Sequence, residues 1–273
     1  MSASSVSRRV RSILREVADK VVELDYPVNY RERSIDFVAC FRGRPRERAH
    51  RRPGQVSGNI VIRVSPGRGT GVSSDVEEDL ATFAEVVDGI PIVVDNELYD
   101  NIVFEQGEVF ASNERTLENL VKSRELIAIF RRNELYVALN VDLIERELGR
   151  GGLRLSELSD VLGLSRKSLE SYIRGVGLIS IERAERLISE FSADMVLSIG
   201  YEILREIFER KRPRRYTHGA EAGRLVYELR KTAVDMVLRE APTEGPRSLR
   251  FYVDLMRTQS VRSTKIKVLN AVR

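Results

Sequence analysis

The chain has 273 residues, 42% of them hydrophobic and 32% charged, which is enough for two or three ordinary domains and argues against disorder over most of its length. No run approaches the roughly 18 apolar residues of a membrane span, so no membrane association is expected, and the opening stretch carries Arg8, Arg9, Arg11 and Arg15 without an apolar block, unlike a secretory signal. A single cysteine, Cys40, excludes an internal disulfide and fits a cytoplasmic setting, and with His50 and His218 it cannot build a His/Cys zinc site, although carboxylates alone can still hold a metal.

The basic residues are skewed, with 7 Lys among 45 and the other 38 Arg. Arg makes forked hydrogen bonds to phosphate and guanine that Lys cannot, which suits nucleic-acid work, although surface ion-pair networks or a GC-rich genome explain the bias equally well. Between Gly69 and Glu118 there are thirteen acidic residues and one basic residue, Arg115. By contrast Arg42, Arg44, Arg46, Arg48, Arg51 and Arg52 face only Glu47, and from Ala241 onward seven bases meet two acids. Such asymmetry implies different partners for different regions.

In chain order, Val6, Val10, Ile13, Val17, Val21 and Leu24 recur at three- and four-residue spacing and predict a first helix ending before Pro27. Two strands follow, 35–41 (IDFVACF) and 59–65 (NIVIRVS), separated by an Arg/Pro/Gly loop over 42–58. Ser74 with Glu77 three residues later is a capping-box pattern opening a second helix, whose stripe is Val76, Leu80, Phe83, Ala84 and Val87. Ile90 to Val94 (IPIVV) reads as a buried strand and 107–121 (GEVFASNERTLENLV) as a short acidic strand region. A hairpin pairs 126–130 with 135–139, and from Val141 the pattern is wholly helical, with segments at 141–148, 156–162, 165–174, 181–191 and about 201–210. KRPRR, 211–215, reads as a linker. Beyond it come a helix near 219–232, strands at 234–238 and 249–255, and a last helix. The parallel between IDFVA and VDMVL suggests a partial repeat of the first half, although short apolar strands resemble one another by chance.

The most informative stretch is LRLSELSDVLGLSRKSLESYIRG, 153–175. Leu158, Val161 and Leu162 line the inner face of one short helix, Gly163 permits a tight turn, and Ser165 caps a second helix whose inner face is Leu169, Tyr172 and Ile173. Arg166, Lys167, Glu170, Ser171 and Arg174 are left outward, so the second helix offers two cations in its first turn, as a helix entering the major groove requires. An ordinary helical hairpin shares much of this spacing. The stretch resembles the lambda-repressor or Xre-like helix-turn-helix class, matching its L-x-x-L-x-x-x-L-G-x-S-x-x-x-[ILV]-x-x-[YLW]-x-x-G pattern, with 141–148 and 181–191 as flanking helices. That resemblance implies DNA contact by Ser165, Arg166, Lys167, Ser168, Ser171 and Arg174. One departure stands out: the class opens its first helix with Thr or Ser followed by Gln, where this chain has Arg154 and Leu155, and Leu155 cannot make an amide-to-adenine contact.

Over about residues 10–205 the order of segments further resembles a family of archaeal HTH-type transcriptional regulators, in which a domain similar to restriction endonucleases precedes the Xre-like unit. Active nucleases of that kind place an Asp before one strand and Glu-x-Lys in the next, because two carboxylates hold Mg²⁺ and a Lys positions the attacking water. Asp36 fills the first place, but the second falls on Val61-Ile62-Arg63, so a carboxylate is missing unless Glu77 or Asp79 supplies it. Gly67-Arg68-Gly69-Thr70-Gly71 is not a dinucleotide fingerprint, since Val72 takes the place of the required glycine, and no cofactor is expected.

The expected fold is therefore α+β: an endonuclease-like α/β domain over 1–124, a connecting hairpin over 125–140, an all-α Xre-like helix-turn-helix domain over 141–210 and a small α/β element over 211–273. The expected function is sequence-specific binding of double-stranded DNA by a homodimer that regulates transcription, not catalysis. A metal-dependent nuclease using Asp36 and a protein-binding scaffold are the rivals.

Overall fold

The computed structural model describes residues 3–24, 34–41, 56–65, 72–122, 125–174 and 177–211, together with the backbone of four short strands beyond them. The first helix, α1 (Ala3–Val17), buries Val6, Val10 and Leu14. It stops short of the expected end, because Val21 and Val22 are consecutive β-branched residues that pair as β1 (Lys20–Glu23) with β2 (Phe37–Phe41). β3 (Gly58–Val64) runs antiparallel to β2, and a crossover through α2 (Ser74–Val86) brings β4 (Gly89–Val94) alongside β3 in parallel. The cap of α2 is Ser73 rather than Ser74, and its hydroxyl does not bond the helix N-terminus.

The acidic stretch holds more structure than its sequence shows. β5 (Ile102–Gln106) and β6 (Val109–Ser112) form a hairpin, α3 (Glu114–Lys122) packs beside α1, and β6 lies parallel to β4. The hairpin β7 (Ala128–Arg131) and β8 (Glu134–Leu139) extends the same sheet, since β7 pairs in parallel with β5. The region after Val141 is helical but not wholly so. Besides α4 (Val141–Arg150), α5 (Leu155–Leu162), α6 (Arg166–Arg174) and α7 (Ile181–Glu190), it sends two short strands, β9 (Leu178–Ser180) and β10 (Val196–Leu197), back to β8. The result is a mixed ten-stranded sheet of order β1-β2-β3-β4-β6-β5-β7-β8-β10, with β9 also on β8.

Two apolar cores meet at this end of the sheet. Alternate residues of a strand point to opposite faces, and β8 uses both: Tyr136 and Ala138 pack into the first core, Val137 and Leu139 into the second. β9 does the same with Leu178 and Ile179. The second core is otherwise built from the helices, with Ile144, Leu158, Leu162, Leu169, Ala184 and Leu187 buried.

The last helix of the run, α8 (Tyr201–Lys211), belongs to the first core through Tyr201, Leu204, Ile207 and Phe208. Its hydroxyl anchor is Tyr201, whose Oη accepts from the backbone N–H of Asn59 (3.1 Å) and lies 3.2 Å from the Asn59 carbonyl, to which it donates. Burial pushes that phenol well above its ordinary pKa, so it stays a donor. Arg205 reaches Asp88 (2.9 Å), and Lys211 pairs with Glu105 and donates to the Gly107 carbonyl (2.7 Å), so Lys211 closes a helix instead of opening a linker.

Beyond α8, β11 (Arg224–Glu228), β12 (Met236–Glu240), β13 (Ser248–Tyr252) and β14 (Leu269–Asn270) make a separate antiparallel sheet in that order. A strand thus stands where a helix near 219–232 was expected; RLVYE carries β-branched and aromatic residues that favour extension. The described element before 236–240 is β11 and the one before 37–41 is β1, so each follows a strand where a preceding helix is expected. Arg212–Arg215, the Arg42–Arg52 loop, Gly67–Gly71, His50 and His218 lie outside the described residues.

Gly58 has φ of +146°, and a Cβ there would stand 2.1 Å from Tyr201 Oη. Gly58→Ala should therefore lower stability by about 1–3 kcal/mol through backbone strain and displacement of α8, read from denaturant unfolding. Adding Tyr201→Phe should recover part of that loss, because the clashing oxygen is gone; strict additivity of the two changes would show that they act independently.

Candidate nucleic-acid interface

The α5–α6 pair is assembled by burial, capping and one glycine. Leu158, Leu162 and Leu169 are fully buried between α5, α6 and α7, each adding about 1.5–3 kcal/mol of transfer free energy. The backbone N–H of Arg154 donates to Glu157 (3.2 Å), half of a capping box at the start of α5. Gly163 takes the left-handed conformation, φ 60° and ψ 40°, which ends α5 and turns the chain without the steric penalty a side chain would add. Leu164 N–H then donates back to the Ser159 carbonyl (3.0 Å), and Ser165 Oγ accepts the N–H of Ser168 (3.1 Å), capping α6.

Arg166, Lys167, Ser171 and Arg174 are exposed on α6, as is Glu170. Ser165 is exposed at the cap, and its hydroxyl lies 2.8 Å from that of the half-buried Ser168, so these two serines hold the helix start. Among the described residues Arg166 and Lys167 form no ion pair, and Arg174 lies 3.5 Å from Glu170 one turn earlier. Because α6 begins with two exposed cations beside the N–H groups that the Ser165 cap leaves over, its first turn is electropositive.

Two supporting residues escaped the sequence reading. Arg183 of α7 donates through Nε to the Leu162 carbonyl (3.1 Å), tying down the orphaned end of α5, and Arg186 approaches Gly163 from the same helix. Their three-residue spacing on α7 was the available signal. It points to a bonded partner only once α7 is known to cross the α5–α6 turn.

The second candidate site lies in the large sheet. Asp36 sits at the entry to β2, 4% exposed in its side chain, and both carboxylate oxygens receive Arg63 Nη1 at 3.1 and 3.0 Å. The Val64 N–H adds a third bond at 2.8 Å. A guanidinium thus occupies the carboxylate where a metal would have to bind. Asp79 of α2 is equally buried and accepts from Ser34 Oγ (2.9 Å), while Val61 is enclosed in the core. Glu77 has its carboxyl raised above the ordinary range by burial and by Glu108, which disfavours the charged form a metal ligand needs. Among the described residues no three His, Cys, Asp or Glu side chains are grouped to hold a metal ion. Cys40 is half-buried on β2, less enclosed than a core position.

Comparison with known proteins points in one direction. Over 253 residues, 87% of this chain, it is 26% identical to an Aeropyrum pernix protein and spans 72% of that relative. Over 187 residues it is 25% identical to a Sulfurisphaera tokodaii protein, covering 68% of this chain and 58% of the relative. Over 122 residues it is 33% identical to a Thermococcus gammatolerans protein, covering 42% and 38% respectively. All three carry the name "Putative HTH-type transcriptional regulatory protein". The chain therefore spans little more than half, or less, of the length of several relatives it matches. No protein-family model matches the chain, and no solved structure does.

If the Asp36–Arg63 pair is structural, Asp36→Asn leaves a buried guanidinium without its counter-charge and should cost about 3–5 kcal/mol in urea unfolding. Replacing both, as Asp36→Asn with Arg63→Met, should restore much of the loss. A stable, fully folded Asp36→Asn single variant would mean the carboxylate is not held for structure.

Proposed function

We propose that the chain is a sequence-specific DNA-binding transcriptional regulator that places α6 in the major groove of duplex DNA. One observation carries this reading: the second helix of a tightly capped helix-turn-helix presents Arg166 and Lys167, exposed and without ion-pair partners among the described residues, at its N-terminal turn. Ser171 and Arg174 continue the contact along the same helix, and Ser165 and Ser168 fix its start. The names of the archaeal relatives support the same function.

In this reading residues 1–124 are an endonuclease-like body, 125–140 a connection, 141–210 the reading unit and 211–273 an assembly element. α8, the last helix of that unit, packs into the core of the body, so the reading unit is braced at both of its ends. The body acts as a platform and not as a nuclease, because Arg63 neutralises Asp36 and no second carboxylate stands on β3. A cytoplasmic setting follows from this function, and no helix among the described residues is long and apolar enough to cross a membrane.

Duplex binding should weaken steeply as salt rises, since neutralised phosphates release counterions. Arg166→Ala and Lys167→Ala should each cost about 1–3 kcal/mol on the preferred sequence if they touch bases. Equal losses on all sequences would make them phosphate contacts, and absence of duplex binding at low salt would end the regulator reading. Plasmid incubated with Mg²⁺ or Mn²⁺ should stay intact; nicking lost on Asp36→Ala would establish the nuclease instead.

Helix-turn-helix proteins commonly read two half-sites as symmetric dimers. A second sheet, β11 to β14, follows the reading unit, and we assign it the self-association. Sedimentation should give a dimer for the full chain and a monomer for a version ending at Arg215. Identical behaviour of the two would remove the assembly role.

A further inference from the structure

We infer that the DNA sequence this chain selects is centred on G·C pairs, with Glu170 as the residue that demands cytosine. This inference rests on the DNA-binding reading above and names the class of duplex that the same helix takes.

The outward residues of α6 contain no amide. Its sequence, RKSLESYIR, carries neither Asn nor Gln, and neither does α5, LSELSDVL. Two-bond recognition of adenine through its N6 amino group and N7 uses an Asn or Gln amide, which donates and accepts at once, so this helix lacks the usual reader of an A·T pair. What it has in its first turn are Arg166 and Lys167, both exposed, whose donors match the O6 and N7 acceptors of guanine.

Glu170 supplies the complementary half. It lies one turn beyond Arg166 on the same outward face and is half-exposed in its side chain. A carboxylate among DNA phosphates and base acceptors is repelled unless it meets a donor. Cytosine offers its N4 amino group in the major groove without a neighbouring purine N7, whereas the adenine amino group sits beside that acceptor. Glu170 therefore penalises guanine, thymine and adenine and tolerates cytosine. Its ion-pair partner among the described residues, Arg174 at 3.5 Å, stands toward the C-terminal end of α6, away from the turn that penetrates the groove. Ser171, which bonds any base edge, adds little discrimination.

The test is selection of bound duplexes from a randomised pool by the full chain, run in parallel for the unmodified protein, Glu170→Gln and Glu170→Ala. The unmodified protein should enrich half-sites with guanine at neighbouring positions and cytosine at one further position, at roughly 5- to 100-fold preference for each base. Glu170→Gln should move the cytosine position to adenine and leave the guanines in place, while Glu170→Ala should make that position indifferent. The exposed position keeps both variants folded, checked by an unchanged circular dichroism melt. Enrichment of A·T-centred sites, or an identical preference for all three proteins, overturns the inference while the DNA-binding reading stands. Failure of the unmodified protein to enrich any duplex at low salt overturns both together, and the two failures are told apart by that result.

Discussion

Strand β8 is the member on which the rest of the structure depends. Its side chains alternate between two apolar cores, and its edges pair with β7 and β10 on one side and with β9 on the other. A strand buried on both faces cannot shift register by one residue without exchanging the occupants of both cores. The helical region after Val141 is therefore fixed to the large sheet by backbone ladders as well as side-chain packing. α8 completes the attachment from the far end, with Tyr201 bonded to the β3 backbone.

That attachment bears on the proposed DNA-binding role, in which α6 presents its N-terminal turn to a groove. In that role Arg166 and Lys167 would discriminate only on a helix held at a fixed angle, and rigid elements hold such groups better than loops. The turn between α5 and α6 is secured from inside by three leucines, from the chain ends by Gly163 and Ser165, and from α7 by Arg183. Each acts on the backbone of the turn and leaves the outward face of α6 to its charged residues.

The buried Asp36–Arg63 pair shows the opposite use of charge. In water such a pair adds little, but inside a sheet each partner is costly alone, so the two ions and the Val64 N–H form a unit. The carboxylate at the entry to β2 thus ties β2 to β3. The sequence offered Asp36 as a first metal carboxylate and left the second missing at Val61. Only the side-chain geometry shows the guanidinium seated on the carboxylate.

The sequence by itself determined those features that depend on near neighbours in the chain. The apolar spacing around Leu158, Leu162 and Leu169, the turn at Gly163 and the cap at Ser165 all lie within a dozen consecutive positions, and they appear where periodicity and capping rules placed them. The same rules misread Val21 and Leu24 as helix and 219–232 as helix, because β-branched and mixed stretches take their conformation from a distant partner strand. Tertiary structure alone decided the rest: the two strands that return from the helical region to β8, the recruitment of α8 into the first core and the seat of Arg63 on Asp36. Each joins residues far apart in sequence. Whether a short apolar run becomes an edge strand or a helix turn, and whether a carboxylate faces an ion or water, depends on what the folded chain brings beside it.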